Sequence, residues 1–108
     1  MLSKELQFED KKLILEKLSE CYLKSSRRVQ IYKFQGINEE SAQYKGDLAV
    51  LQMIEISLEA CSKNTQMIIK NEYFTYKQHD WYLDYYSKSS FYRLKKLAII
   101  EFIDCLNI

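Results

Sequence analysis

The stretch that decides the fold is FEDKKLILEKLSECYLKSSRRVQIYKF, residues 8–34, which contains neither proline nor glycine. Apolar side chains recur in it at steps of three, four or seven residues, which places them on one side of a helix. They are Phe8, Leu15, Leu18, Tyr22, Val29 and Tyr32. The pattern predicts one long N-terminal helix whose apolar stripe packs on the rest of the chain or against a second copy.

The composition of the 108 residues extends this prediction to the whole chain. Hydrophobic residues make up 47% and charged residues 29%, which is typical of a soluble globular protein and not of a disordered one. Proline is absent and glycine occurs only at Gly36 and Gly46, so turn-rich β structure and glycine-rich phosphate loops are excluded. We therefore expect an all-α fold of four to five helices.

Both glycines fall in residues 36–46, which show little periodicity and are predicted to form a loop. This loop would separate an N-terminal helical arm, residues 1–35, from a helical domain, residues 47–108. Asp47 is of a type that caps helices, and a second helix is predicted from it to Ala60.

Three more helical segments are predicted in the second half of the chain. Ser62 or Asn64 would cap the first, and a short helix over residues 80–85 would follow a polar interruption. Ser87 precedes an uninterrupted apolar pattern that ends near Leu106.

Residues for catalysis or metal binding are scarce. His79 is the only histidine, and its spacing to Asp80 and Asp84 puts the three on different faces of a helix. The three cysteines fall in apolar helical patterns, which predicts inert thiols: Cys21, Cys61 and Cys105. We expect no catalytic site, no metal and no cofactor, and therefore not an enzyme.

The sequence also bears on location. The longest aliphatic run covers only residues 97–100, and four of the first ten residues are charged. These features predict neither a signal peptide nor a membrane span, and three cysteines without paired spacing fit a reducing cytoplasm.

The most informative segment for function is SKSSFYRLKKLA, residues 87–98, which carries four cations and no acid. Helical spacing puts Phe91, Leu94 and Ala98 on an inner face and a basic, hydroxyl-rich set on an outer face. A helix N-terminus with hydroxyls also favours phosphate, so the layout is that of a DNA recognition helix, with a solvated amphipathic helix as the alternative. The candidate DNA contacts are Lys88, Ser89, Ser90, Tyr92, Arg93, Lys95 and Lys96.

Aromatic residues cluster just before and within this segment. Trp81 is predicted to lie in the core, because a small helical domain needs large rings for packing. Tyr86 and Tyr92 are candidates for contact with the sugar-phosphate backbone or with exposed bases.

Residues 58–106 resemble the helix-turn-helix of sigma-70 region 4, and more closely the C-terminal part of phage ArpU-type transcriptional regulators and of small sigma-like proteins of mollicutes. The resemblance is carried by QMIIKNEYF (66–74), WYLDYY (81–86) and SKSSFYRLKKLA (87–98). The last of these is similar to the Ser-x-Ser-Thr-x-Tyr-x-x-Lys-x-x-Ala run that opens the recognition helix. The resemblance implies a helix-turn-helix at about residues 78–106 whose final helix enters the major groove. Tyr85 stands where many of these turns have glycine.

Two functions follow as hypotheses. The first is a cytoplasmic DNA-binding transcriptional regulator of the sigma factor-like type, which binds double-stranded DNA and uses its N-terminal helix for homodimer formation or contact with RNA polymerase. For that contact we expect the far end of the helix, with Val29 and Tyr32, to be available.

The alternative is a helical protein–protein interaction module without DNA binding, which would present two basic clusters to an acidic partner. These clusters are Lys24, Arg27, Arg28 and Lys33, and Lys88, Arg93, Lys95 and Lys96.

Overall fold

The computed structural model describes residues 5–75 and 79–106. In these residues four α-helices follow one another: α1 (Phe8–Gln35), α2 (Ala42–Glu59), α3 (Lys63–Tyr73) and α4 (Lys88–Cys105). A single 3-10 turn (Trp81–Asp84) precedes α4, and the described residues contain no strand. The all-α prediction and the long N-terminal helix are confirmed.

The helices α1 and α2 form an antiparallel hairpin. The ring centroids of Tyr32 and Tyr44 lie 5.2 Å apart, and the Tyr22 hydroxyl donates to Glu55 Oε1 over 3.4 Å. Residue numbers therefore rise along α1 as they fall along α2, which is the geometry of two helices joined by a short connection.

The helices α3 and α4 form a second antiparallel pair. Lys95 Nζ lies 2.9 Å from Glu72 Oε2, and nearly two helical turns later along α4 the Thr65 hydroxyl donates to Glu101 over 3.1 Å. The same carboxylate accepts from the Ser62 backbone N–H, so Glu101 secures the start of α3.

All four helices contribute to one hydrophobic core. Leu15 of α1 is fully buried with side chains of the other three helices, so the predicted stripe packs within the chain. The most completely buried members are Leu15, Ile54, Ile68, Ile69, Phe91, Ala98, Ile99, Phe102 and Ile103.

Serine side chains cap three of the helices. Ser62 accepts from Thr65 N, which decides between the two caps considered for α3. Ser87 accepts from Ser90 N, as predicted, and Ser41 accepts from Tyr44 N at the start of α2. Each of these bonds satisfies one of the free N–H groups of a first helical turn.

The predicted cap at Asp47 is wrong. Helix α2 begins after Ser41, so the loop ends there and Gly46 lies within the helix. Asp47 is 7% exposed, and its carboxylate accepts bonds from Ser25 (2.9 Å) and Arg28 (2.7 Å) on α1. An aspartate at the expected position of a cap instead joins two helices, because its partners come from a distant part of the chain.

The prediction that Val29 and Tyr32 are available to a partner is also wrong. Val29 is buried, and the Tyr32 hydroxyl donates to Asp47 Oδ2 over 2.8 Å. The apolar side chains exposed at this end of the molecule are Ile31, Phe34 and Ile37, of which Phe34 is 92% exposed.

Candidate nucleic-acid interface

Aromatic rings pack against the buried side of the N-terminal half of α4. Phe91 is 1% exposed, and its ring stacks on Tyr82 of the 3-10 turn with centroids 3.9 Å apart and planes 4° apart. Trp81 meets the same ring edge-on at 5.7 Å. The 3-10 turn thus supports α4 through Phe91, which orients the opposite face of the helix outward.

Glu72 of α3 ties the 3-10 turn and α4 together. Its carboxylate accepts from Trp81 Nε1 at 2.7 Å and from Lys95 Nζ at 2.9 Å, and both sides of the ion pair are largely shielded from water. Trp81 is only half-buried, so the predicted core tryptophan packs at the edge of the core and keeps its N–H satisfied.

The outward face of α4 carries cations and hydroxyls. Ser89, Tyr92, Arg93 and Lys96 are all exposed, and at 3.6 residues per turn they fall within an arc of about 100°. Phe91 and Ala98 occupy the opposite side and are buried. No acidic residue occurs in α4 before Glu101, so the cations of this face have no acidic neighbour in that part of the helix.

The other predicted contact residues lie around this face. Lys88 is exposed in the first turn of α4, and Ser90 is half-buried, with its backbone N–H bound to the Ser87 cap. Lys95 is half-buried, and its ammonium group is directed to Glu72. Of the four cations, Lys88, Arg93 and Lys96 are the exposed ones.

The two tyrosines proposed as nucleic-acid contacts differ in their surroundings. Tyr92 is 50% exposed on the outward face. Tyr86 is half-buried, and its hydroxyl donates to Asn64 of α3, while burial raises its pKa above the ordinary tyrosine value. Tyr92 is therefore the more exposed of the two rings, although it packs edge-on against Tyr82 and Phe91, and Tyr86 is bound to α3.

One cation that the sequence analysis missed borders the same face. Lys12 of α1 and Lys96 of α4 line a cavity of about 200 Å³ together with Phe8 and Tyr92. The Lys96 ammonium lies 5.0 Å from the centroid of the Phe8 ring. No local sequence signal marks Lys12, because it reaches α4 only through the packing of α1.

A larger cavity of about 310 Å³ lies between α1, α2 and α3. Its charged lining residues are Glu55, Glu59 and Lys70, beside the rings of Tyr22 and Phe74. In residues 5–75 and 79–106, no group of three or more His, Cys, Asp or Glu side chains could hold a metal ion.

The cysteines do not share one environment. Cys61 is buried, its thiol donates to the Ser57 carbonyl, and burial raises the pKa of that thiol to about 12. Such a thiol stays protonated and unreactive at neutral pH. Cys21 is exposed, contrary to the prediction that every cysteine lies in an apolar helical surface.

Comparison of the chain with protein-family models, with curated proteins and with solved structures gives no match. Among the helices of the described residues, none has an apolar stretch of the length and hydropathy that crossing a bilayer requires.

Proposed function

We propose that this protein is a DNA-binding transcriptional regulator whose helix α4 is the recognition helix of a sigma region 4-like helix-turn-helix. The observation that carries the proposal is the two-sided construction of α4. Its inner side is locked into the core at Phe91 and Ala98, and its outer side presents Ser89, Arg93 and Lys96 without an acidic neighbour on the helix. A rigid helix with a basic, hydrogen-bonding outer face is the element that enters a major groove.

On this proposal the protein is not an enzyme, needs no cofactor and acts on cytoplasmic double-stranded DNA. The exposed apolar end of α1, with Ile31, Phe34 and Ile37, would meet a second copy of the chain or RNA polymerase.

The test is binding of a labelled DNA duplex of arbitrary sequence, measured by fluorescence anisotropy over a series of salt concentrations. We expect wild-type binding at low salt that weakens linearly on a log–log plot, because cations on the protein displace counterions from DNA. The variant Arg93→Ala/Lys96→Ala should lose about 1.8 from that slope, at about 0.9 per phosphate contact.

The matched control is Arg27→Ala/Lys33→Ala, which removes the same charge from exposed positions near the far end of α1. Arg27 lies 15 residues beyond Lys12, or roughly 22 Å along the helix axis. Circular dichroism shows whether both variants keep the fold. No wild-type binding at low salt, or equal losses in the two variants, would refute the proposed role of α4.

The alternative, a protein-interaction module without DNA binding, is favoured by the exposed apolar end of α1. Of the first basic cluster assigned to this alternative, Arg28 is held by Asp47, and Lys24, Arg27 and Lys33 are exposed cations in the C-terminal half of α1. If that alternative is correct, wild type should bind no DNA duplex at low salt, and Phe34→Ser should abolish binding to a protein partner.

A further inference from the structure

We infer that the cavity between α1 and α4 is a phosphate-binding site, in which Lys12 and Lys96 together hold one phosphate of a DNA strand that flanks the groove read by α4. This inference rests on the proposed function and extends the interface from one helix to two. The contribution of α1 is not apparent from the helix-turn-helix pattern, because Lys12 lies more than sixty residues before that segment.

The first argument is the arrangement of the cavity walls. Phe8 and Lys12 are one helical turn apart on α1, and Tyr92 and Lys96 are one turn apart on α4, so two matching rows face each other. Lys95 and Ile99 complete the lining. The cavity, of about 200 Å³, accommodates a phosphate group with associated water.

The second argument is the charge. Within residues 5–75 and 79–106 the ion pairs involve Lys17, Arg28, Lys45 and Lys95, and neither Lys12 nor Lys96. The third lysine of the lining, Lys95, is already neutralised by Glu72. Two uncompensated ammonium groups and no carboxylate in the lining make the cavity attractive to an anion.

The third argument is preorganisation. Lys12 is half-buried, and the Lys96 ammonium lies over the Phe8 ring, 5.0 Å from its centroid. Both lysine side chains have therefore lost part of their rotamer freedom before a ligand binds. Side chains held in this way lose less entropy on binding than freely moving surface lysines.

The fourth argument is position along α4. Recognition helices contact base edges with their N-terminal residues, while phosphate contacts come from the groove rim and from neighbouring helices. Lys96 lies about two turns beyond Ser89, and Lys12 approaches from a neighbouring helix, so both fit the rim. The ligand that suits the cavity is therefore a strand phosphate and not a base.

The test is Lys12→Gln measured in the same salt series on two duplexes of unrelated sequence. We expect about a fivefold loss of affinity at low salt on both duplexes and a salt slope smaller by about 0.9, because a phosphate contact is independent of sequence. Lys12→Arg should restore the slope.

The matched control is Lys17→Gln, on the same helix but about 140° away around it, with a side chain that is 68% exposed. If wild type binds DNA and Arg93→Ala weakens it, but Lys12→Gln behaves as Lys17→Gln does, the phosphate site is refuted and the role of α4 stands. If wild type binds no duplex, both are refuted. Saturable amide shifts at Phe8 and Lys12 with inorganic phosphate, with an unchanged DNA slope in Lys12→Gln, would mean that the cavity holds a free anion instead.

Discussion

Arg28 Nη2 lies 2.7 Å from Asp47 Oδ1, in an ion pair that joins the C-terminal third of α1 to the first half of α2. Ser25 and Tyr32 donate to the same carboxylate, so three side chains of α1 converge on one buried acid of α2. The Arg28 guanidinium is the main reason that the pKa of Asp47 is lowered to about 2. This cluster sets the register of the first hairpin.

The Asp47 cluster predicts an acid-dependent stability. Because the folded-state pKa of Asp47 lies below its unfolded value, its contribution is complete above about pH 5 and is lost as the pH falls toward 2. We expect a loss of about 1–2 kcal/mol across that window, allowing for screening at the half-exposed Arg28. Urea unfolding at several pH values measures it.

Asp47→Asn tests this assignment, since it should flatten the pH dependence by that amount. Glu40→Gln is the control, because Glu40 pairs with Lys45 at 2.7 Å with both side chains well exposed, and such a pair contributes little. Equal pH profiles for wild type and Asp47→Asn would contradict the assignment.

We expect different losses of stability when the rings of the adjacent residues Phe91 and Tyr92 are removed. Phe91 is enclosed by Tyr82 and Trp81, so Phe91→Ala should cost about 3–5 kcal/mol of unfolding free energy. Tyr92 is 50% exposed, so Tyr92→Ala should cost less than about 1 kcal/mol and reduce only ligand binding. Chemical denaturation of both variants measures the difference, and similar losses would mean that the inner face of α4 is assigned wrongly.

Lys95 and Lys96 are adjacent lysines with different predicted roles. Lys95→Ala removes an ammonium bound to Glu72, so it should change the salt slope of DNA binding far less than Lys96→Ala does. Lys95→Ala should instead alter the fluorescence emission of Trp81, the only tryptophan. In this variant the Glu72 carboxylate loses the bond from Lys95 and accepts only from the indole N–H of Trp81. Equal slope changes for the two variants would show that Lys95 also meets the phosphate backbone.

Much of the fold could be predicted from local patterns. The absence of proline and the apolar spacing sufficed for α1, and serine caps located the starts of α3 and α4. What local patterns could not supply were long-range partners. In the sequence, Ser25 is a polar residue that interrupts the apolar stripe of α1. It is nevertheless buried, because its hydroxyl donates to the buried carboxylate of Asp47.

In the candidate interface, too, local patterns predict some features and long-range packing determines the others. The inner and outer sides of α4 follow from a 100° step per residue, and Phe91 and Ala98 are buried as predicted. The engagement of Lys95 by Glu72 depends on the packing of α3 against α4, and the approach of Lys12 depends on the packing of α1. A single sequence contains no local signal for either.

The last prediction concerns the end of α1 and separates a structural role from a partner surface. Val29 is 4% exposed, so Val29→Glu buries an unpaired charge and should cost about 3 kcal/mol or more. Phe34 is 92% exposed and lies two residues before Gly36, whose left-handed conformation ends α1, so Phe34→Glu should leave the fold intact. Sedimentation velocity of wild type and Phe34→Glu then reports on association without interference from unfolding. A wild-type dimer that becomes a monomer in Phe34→Glu supports homodimer formation through this end of α1. If both proteins are monomers, the homodimer is excluded, and the exposed ring would contact a partner of another kind, such as RNA polymerase.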